Sequence, residues 1–187
     1  MPTSATTFKV PVVPEPTFED ADHYYWSTSV KDSLTQLSTV VSSLDEENAG
    51  TYGMIYTQNA STPQRGIGGT RELLTGFATD GLASGTTPSA ADDKITVSKA
   101  GVYLVLAQIS FSGTVTTEFN LHIHKTGTTT NFGTHRVLGT GGDVGSCSTM
   151  GIVSLAAGDD VSIYVNSDGS SDSITVVDGQ LILFRIA

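Results

Sequence analysis

The segment Phe119-Asn120-Leu121-His122-Ile123-His124 places two imidazoles two residues apart. On a β-strand, alternation sends Phe119, Leu121 and Ile123 to one face and Asn120, His122 and His124 to the other. Paired imidazoles on one face can ligate a metal, and copies related by a threefold axis would supply a fuller ligand set. No carboxylate or third ligand follows at a diagnostic spacing, so solvated or interface-bonded histidines are the plainer expectation and no metal is assigned. The oxygen-rich run Asn166-Ser167-Asp168-Gly169-Ser170-Ser171-Asp172 lacks the spacing and closing glutamate of an EF-hand and reads as a hairpin turn.

Nucleophilic and phosphate-handling patterns are missing. Gly145-Ser146-Cys147-Ser148 has no strand-turn-helix context for a serine elbow. Cys147, the one cysteine, can form no disulfide within the chain, and no Cys/His cluster accompanies it, so it reads as a small buried hydrophobe. Gly66-Ile67-Gly68-Gly69 fits neither a Walker loop nor a dinucleotide fingerprint and reads as a tight turn or bulge. Asp159-Asp160 reads as a strand-entry turn rather than a glycosidase pair. Asn59-Ala60-Ser61 matches a glycosylation sequon, but no signal peptide is read at Met1 to Val13 to route it there. No cofactor is expected, and the chain is read as a binding or structural protein, not an enzyme.

Composition narrows the partners. The 187 residues carry 9 Lys and Arg against 19 Asp and Glu, a formal net charge of −10. That balance is wrong for phosphate backbones or anionic lipid, so nucleic acid and membrane are not expected partners. No apolar run approaches the roughly 20 residues that span a bilayer, and folding in a cytoplasm is expected.

Three regions must position whatever this protein presents. Residues 1–28 hold Pro2, Pro11, Pro14 and Pro16, which preclude a helix or central strand. Phe8, Val10, Val12, Val13, Phe18, Tyr24, Tyr25 and Trp26 make this arm too apolar for a solvated linker. It either docks on another protein or folds back on its own domain. Residues 29–49 place Val30, Leu34, Leu37, Val41 and Leu44 at 4-3-4-3 spacing, the seam of a short coiled coil or the buried stripe of one amphipathic helix. From residue 50 to 187 the pattern becomes period two, with strands expected near 52–58, 65–77, 93–98, 101–112, 115–124, 132–138, 147–155, 160–166 and 174–186.

Two of these strands are apolar on both faces. Tyr103, Val105, Ala107, Ile109 and Phe111 alternate with Val102, Leu104 and Leu106, and Leu181-Ile182-Leu183-Phe184 is a continuous apolar run. A doubly apolar strand needs two covers. In a two-layer sandwich the second comes from another subunit, so Val102, Leu104, Leu106, Leu181 and Leu183 are expected to contribute to self-association.

The stretch from Lys94 to Phe111, with Gly101 and Tyr103, resembles the strand, G-x-Y, strand signature of the TNF/C1q-like jelly rolls. Leu155-Ala156-Ala157-Gly158-Asp159-Asp160-Val161 resembles that family's L-x-x-G-D-x-V strand entry, and Gly179-Gln180-Leu181 its terminal G-x-L. The likeness covers about residues 50–187 and implies an all-β jelly-roll sandwich of about ten strands forming a homotrimer, with terminal strands near the axis. An arm, a short helix that can trimerise and a β head follow one another as in head-decoration proteins and fibres of tailed bacteriophages. This implies a virion protein, assembled in the host cytoplasm, that attaches through its arm to the major capsid protein or another virion component. The alternative is a tail-fibre tip that binds a glycan or protein on the host surface.

Overall fold

The computed structural model describes residues 31–41, 50–141 and 143–187, and the chain divides into two compact units, 1–48 and 49–187. The arm residues Phe8, Val10, Val12, Val13, Phe18, Tyr24, Tyr25 and Trp26, together with Val30 and Leu44 of the heptad, lie outside the described residues. In the first unit, residues 31–41 are helical. Leu34, Leu37 and Val41 of the expected seam are all about half exposed, at 52 %, 58 % and 49 %. Thr35 and Thr39 each donate a hydroxyl hydrogen bond to the carbonyl one turn back, at 2.9 and 3.0 Å. Such back-bonding weakens intrinsic helicity, so a helix of this composition needs a covering surface to persist.

Among the described residues the second unit holds twelve strands: β1 Tyr52–Thr57, β2 Gln64–Ile67, β3 Glu72–Leu73, β4 Thr79–Ser84, β5 Thr86–Ser89, β6 Lys94–Val97, β7 Gly101–Gly113, β8 Glu118–Lys125, β9 Thr128–Val137, β10 Gly145–Leu155, β11 Asp160–Ser167 and β12 Asp172–Arg185. They form two antiparallel sheets. Sheet I runs β10-β7-β12-β1-β4, with β2 also on β12, and sheet II runs β5-β6-β11-β8-β9, with β3 also on β11. The chain crosses repeatedly between layers, as a sandwich must if consecutive strands are to bury both inner faces.

The inner faces follow from alternation. Tyr103, Val105, Ala107, Ile109 and Phe111 of β7 meet Phe119, Leu121 and Ile123 of β8 and Val161, Ile163 and Val165 of β11 in one core. Phe111 and Phe119 make an edge-to-face pair across the layers, centroids 5.7 Å apart at 79°, a geometry worth about 0.5–1.5 kcal/mol beyond the area it buries. The Tyr103 hydroxyl donates to the Lys99 carbonyl at 2.7 Å, closing the turn into β7 while its ring stays inside.

The stretch from Leu155 to Asp160 is a tight turn held by its own side chains. Asp159 Oδ2 accepts from the Ala156 amide at 2.8 Å, and Gly158 takes a left-handed φ of +89°, so the chain reverses directly into β11. Asp160 then accepts from Lys94 Nζ at 3.0 Å and from the Thr96 hydroxyl, tying β11 to β6.

The strand map differs from expectation in three places. The single strand expected over 65–77 is two short ones, because β2 carries a left-handed Gly66 and pairs with β12 through a register shift. β4 and β5 were not expected, since Thr79 to Ser89 is rich in turn residues and contains Pro88. Both are edge strands, where half the backbone groups need no ladder partner and proline is tolerated. The Asn166 to Asp172 loop joins β11 in sheet II to β12 in sheet I, so it is an inter-sheet crossover and not a hairpin. Asp172 Oδ2 holds it by accepting from the Ser167 hydroxyl at 2.7 Å.

Candidate functional site

With the inner faces spent on the core, chemistry and recognition belong to the two outer faces. On sheet I the register aligns outward side chains into rows across four strands. Ile152, Leu104, Phe184 and Tyr52 form one row, and Met150, Leu106, Ile182 and Met54 the next. All eight are apolar or aromatic. Met150, Ile152 and Phe184 remain 66 %, 58 % and 46 % exposed, while Leu104, Leu106 and Ile182 in the middle are half-buried by their neighbours. The Tyr52 and Phe184 rings sit 6.5 Å apart, extending the surface to β1. A contiguous apolar surface of this kind is uncommon on the outside of a folded domain.

Beyond these rows the face turns polar. Gln180 Nε2 donates to Gln108 Oε1 at 3.2 Å, and a shallow cleft of about 520 Å³ opens among Met54, Tyr56, Gln108, Ser110, Asp178 and Gln180.

Of the residues expected to mediate self-association, Val102, Leu104 and Leu106 do point outward from sheet I, partly exposed. Leu181 and Leu183 do not. Both are fully buried in the core, and their outward neighbours on β12 are Ile182 and Phe184. The continuous run Leu181-Ile182-Leu183-Phe184 carries no alternation from which a phase can be read, which is why sequence assigned the wrong pair.

On sheet II, His122 and His124 share the outer face with Asn120, as expected, while Phe119, Leu121 and Ile123 are buried. The His124 ring stacks on Tyr164 of β11, centroids 3.9 Å apart and planes 16° from parallel. His122 pairs across the strands with Tyr164 on one side and Gly133 on the other. Burial lowers the basicity of both imidazoles, and at His122 the Arg71 guanidinium adds to that while Asn166 opposes it. Both are therefore disposed to be neutral near pH 7. Among the described residues no group of three or more His, Cys, Asp or Glu side chains could hold a metal. Strands β1 and β12 lie in sheet I and the histidines in sheet II, so an axis on which the terminal strands converged would leave the histidines pointing away from it.

Cys147 is half-buried on β10 and packs against the core. Burial pushes its thiol up to about 11, with Arg136 pulling slightly the other way, so the thiolate that nucleophilic chemistry requires is scarce at neutral pH. Among the described residues no helix is long and apolar enough to cross a membrane.

Comparison with known proteins adds the fold's relatives. No protein-family model matches the chain, and no curated protein matches it by sequence. Among solved structures, Eiger TNF from S. frugiperda superposes with a TM-score of 0.54 at 17 % identity, over 74 % of this chain and 93 % of that one. The globular domain of zebrafish complement 1qA aligns with a TM-score of 0.49 at 13 % identity, over 73 % and 98 % of the two chains. Murine APRIL aligns with a TM-score of 0.44 at 16 % identity, over 67 % and 98 %. The β unit has a TNF/C1q-like jelly-roll fold.

Proposed function

We propose that this chain is a homotrimeric structural protein whose β heads associate through the outer face of sheet I, and that it decorates a virion, held to the major capsid protein or another virion component by its N-terminal arm. The observation that carries the reading is the pair of apolar rows from Ile152 to Tyr52 and from Met150 to Met54. Eight outward apolar side chains without a charged residue between them are costly in water and become favourable once a second copy covers them. The number three is taken from the fold, since TNF/C1q-like domains typically form homotrimers.

The arm gives the head an attachment. Its aromatic and β-branched residues, from Phe8 to Trp26, suit burial against a protein partner. Three arms carried by one trimer bind far more tightly than one, because the second and third engage at the high effective concentration set by the first.

Co-sedimentation with purified capsids tests the attachment. Full-length protein should pellet with the shell, and protein lacking residues 1–26 should stay in the supernatant while retaining its oligomeric mass. Truncated protein that still bound capsids would refute the arm's role. A second reading, the receptor-binding tip of a tail fibre, draws support from the polar outer face of sheet II. Purified protein that bound host cells and blocked infection would place recognition ahead of decoration.

A further inference from the structure

The outer face of sheet II holds a recess of about 330 Å³, at the small end of the roughly 300–1,000 Å³ typical of ligand sites. Asn120 and His122 of β8, Thr129, Asn131 and His135 of β9, and Arg71 just before β3 line it. Register brings these distant positions together. Asn166 pairs with Asn120, which pairs with His135, and Glu72 pairs with Val165, so Arg71 enters at the Asn166 end of the same row. In a chain with 19 acidic residues and 9 Lys and Arg, none of the residues lining this recess is acidic. The carboxylate beside it, Glu118, accepts from Asn120 Nδ2 at 3.1 Å.

We propose that this recess binds an acidic saccharide, with its carboxylate on Arg71 and its hydroxyls on the amides and imidazoles of Asn120, Asn131, His122 and His135.

The lining chooses the ligand class. One guanidinium suits one carboxylate, bound through a planar pair of donors, and is too little positive charge for a polyanion such as nucleic acid. Asparagine amides and the His122 imidazole both donate and accept hydrogen bonds, as sugar hydroxyls do, whereas a bare phosphate is chiefly an acceptor and would use the donors alone. Apolar ligands find no apolar wall here. The recess is also shaped around His122. A Cβ on Gly133 would come within 2.5 Å of His122 Nδ1, so glycine at that position leaves room for the imidazole against β9. The recess belongs to a single sandwich, on the sheet opposite the apolar rows, and so does not depend on the proposed trimer or its attachment.

Calorimetric titration of the full-length protein tests the assignment, using 3′-sialyllactose and a glucuronate-containing hyaluronan tetrasaccharide as acidic probes. Lactose is the neutral counterpart, and inorganic phosphate probes for simple anion binding. At least one acidic oligosaccharide should bind while lactose does not. Arg71→Ala, a change at an exposed residue, should weaken that binding at least about tenfold with an unchanged melting temperature. The His122 ring resonances should shift, with the imidazole becoming more basic beside the bound carboxylate. Failure of both acidic probes to bind would overturn the proposal. So would equal affinity for lactose, equal affinity for phosphate, or binding that survives Arg71→Ala undiminished.

Discussion

The two outer faces of this sandwich are built by the same strand geometry and differ in almost everything else. Across sheet I, the rows Ile152, Leu104, Phe184, Tyr52 and Met150, Leu106, Ile182, Met54 are apolar throughout. Across sheet II, the corresponding positions are Asn166, Asn120 and His135, then Tyr164, His122 and Gly133. The core needs neither set, because the inward residues of both sheets already fill it. Outward positions are free of the folding constraint, so the contrast between an apolar face on sheet I and a polar one on sheet II is not explained by folding of the single chain.

Neighbouring residues on β12 separate the inner role from the outer one. Leu181→Ala opens a cavity in the core and should cost about 2–5 kcal/mol of folding stability in denaturant melts. Ile182→Ala, one residue on, removes an outward side chain. It should weaken association by about 1–3 kcal/mol in sedimentation equilibrium while shifting the stability of the isolated sandwich far less. Equal effects on folding from both variants would erase the distinction between inner and outer positions.

On sheet II the effects are expected to be smaller and to leave the oligomer intact. Tyr164→Ala removes the surface stacked on His124 and should cost about 0.5–1.5 kcal/mol of stability with no change in solution mass. A change in mass would mean that sheet II, too, belongs to an interface. The smallest effect concerns pH. His122 and His124 hold their protons less tightly when folded than when unfolded. Their contribution is therefore fully present above the unfolded value near 6.5 and is lost as pH falls through the lower folded values. Burial sets that shift at both rings, and at His122 the Arg71 guanidinium adds to it while Asn166 opposes it. Melting temperature should decline modestly as pH is lowered from about 7.5 to 5.5, and a variant carrying both His122→Gln and His124→Gln should show a flatter profile.

How much of this was legible in sequence depends on whether alternation was present to be read. Along β7, Gln108 and Ser110 interrupt the outer face, so the inward set from Tyr103 to Phe111 and the outward Val102, Leu104 and Leu106 separate cleanly. Along Leu181 to Phe184 nothing polar marks the phase, and inner and outer residues were exchanged. β4 and β5 escaped because edge strands need neither alternation nor β-branched residues. The facing of His122 and His124 was readable from local period two. The recess was not, since Arg71, His122, His135 and Asn166 meet only through the register of four strands, which no local spacing encodes.

The central claim is that the outer face of sheet I joins copies of this chain. Light scattering on the full-length protein, run beside Ile182→Asp, tests it most directly. The account predicts a mass three times that of the 19.5 kDa chain for the natural sequence, and a collapse toward the single-chain mass when a carboxylate is placed in the middle of the apolar rows. A natural protein that runs as a monomer, or an Ile182→Asp variant that stays fully assembled, would contradict it.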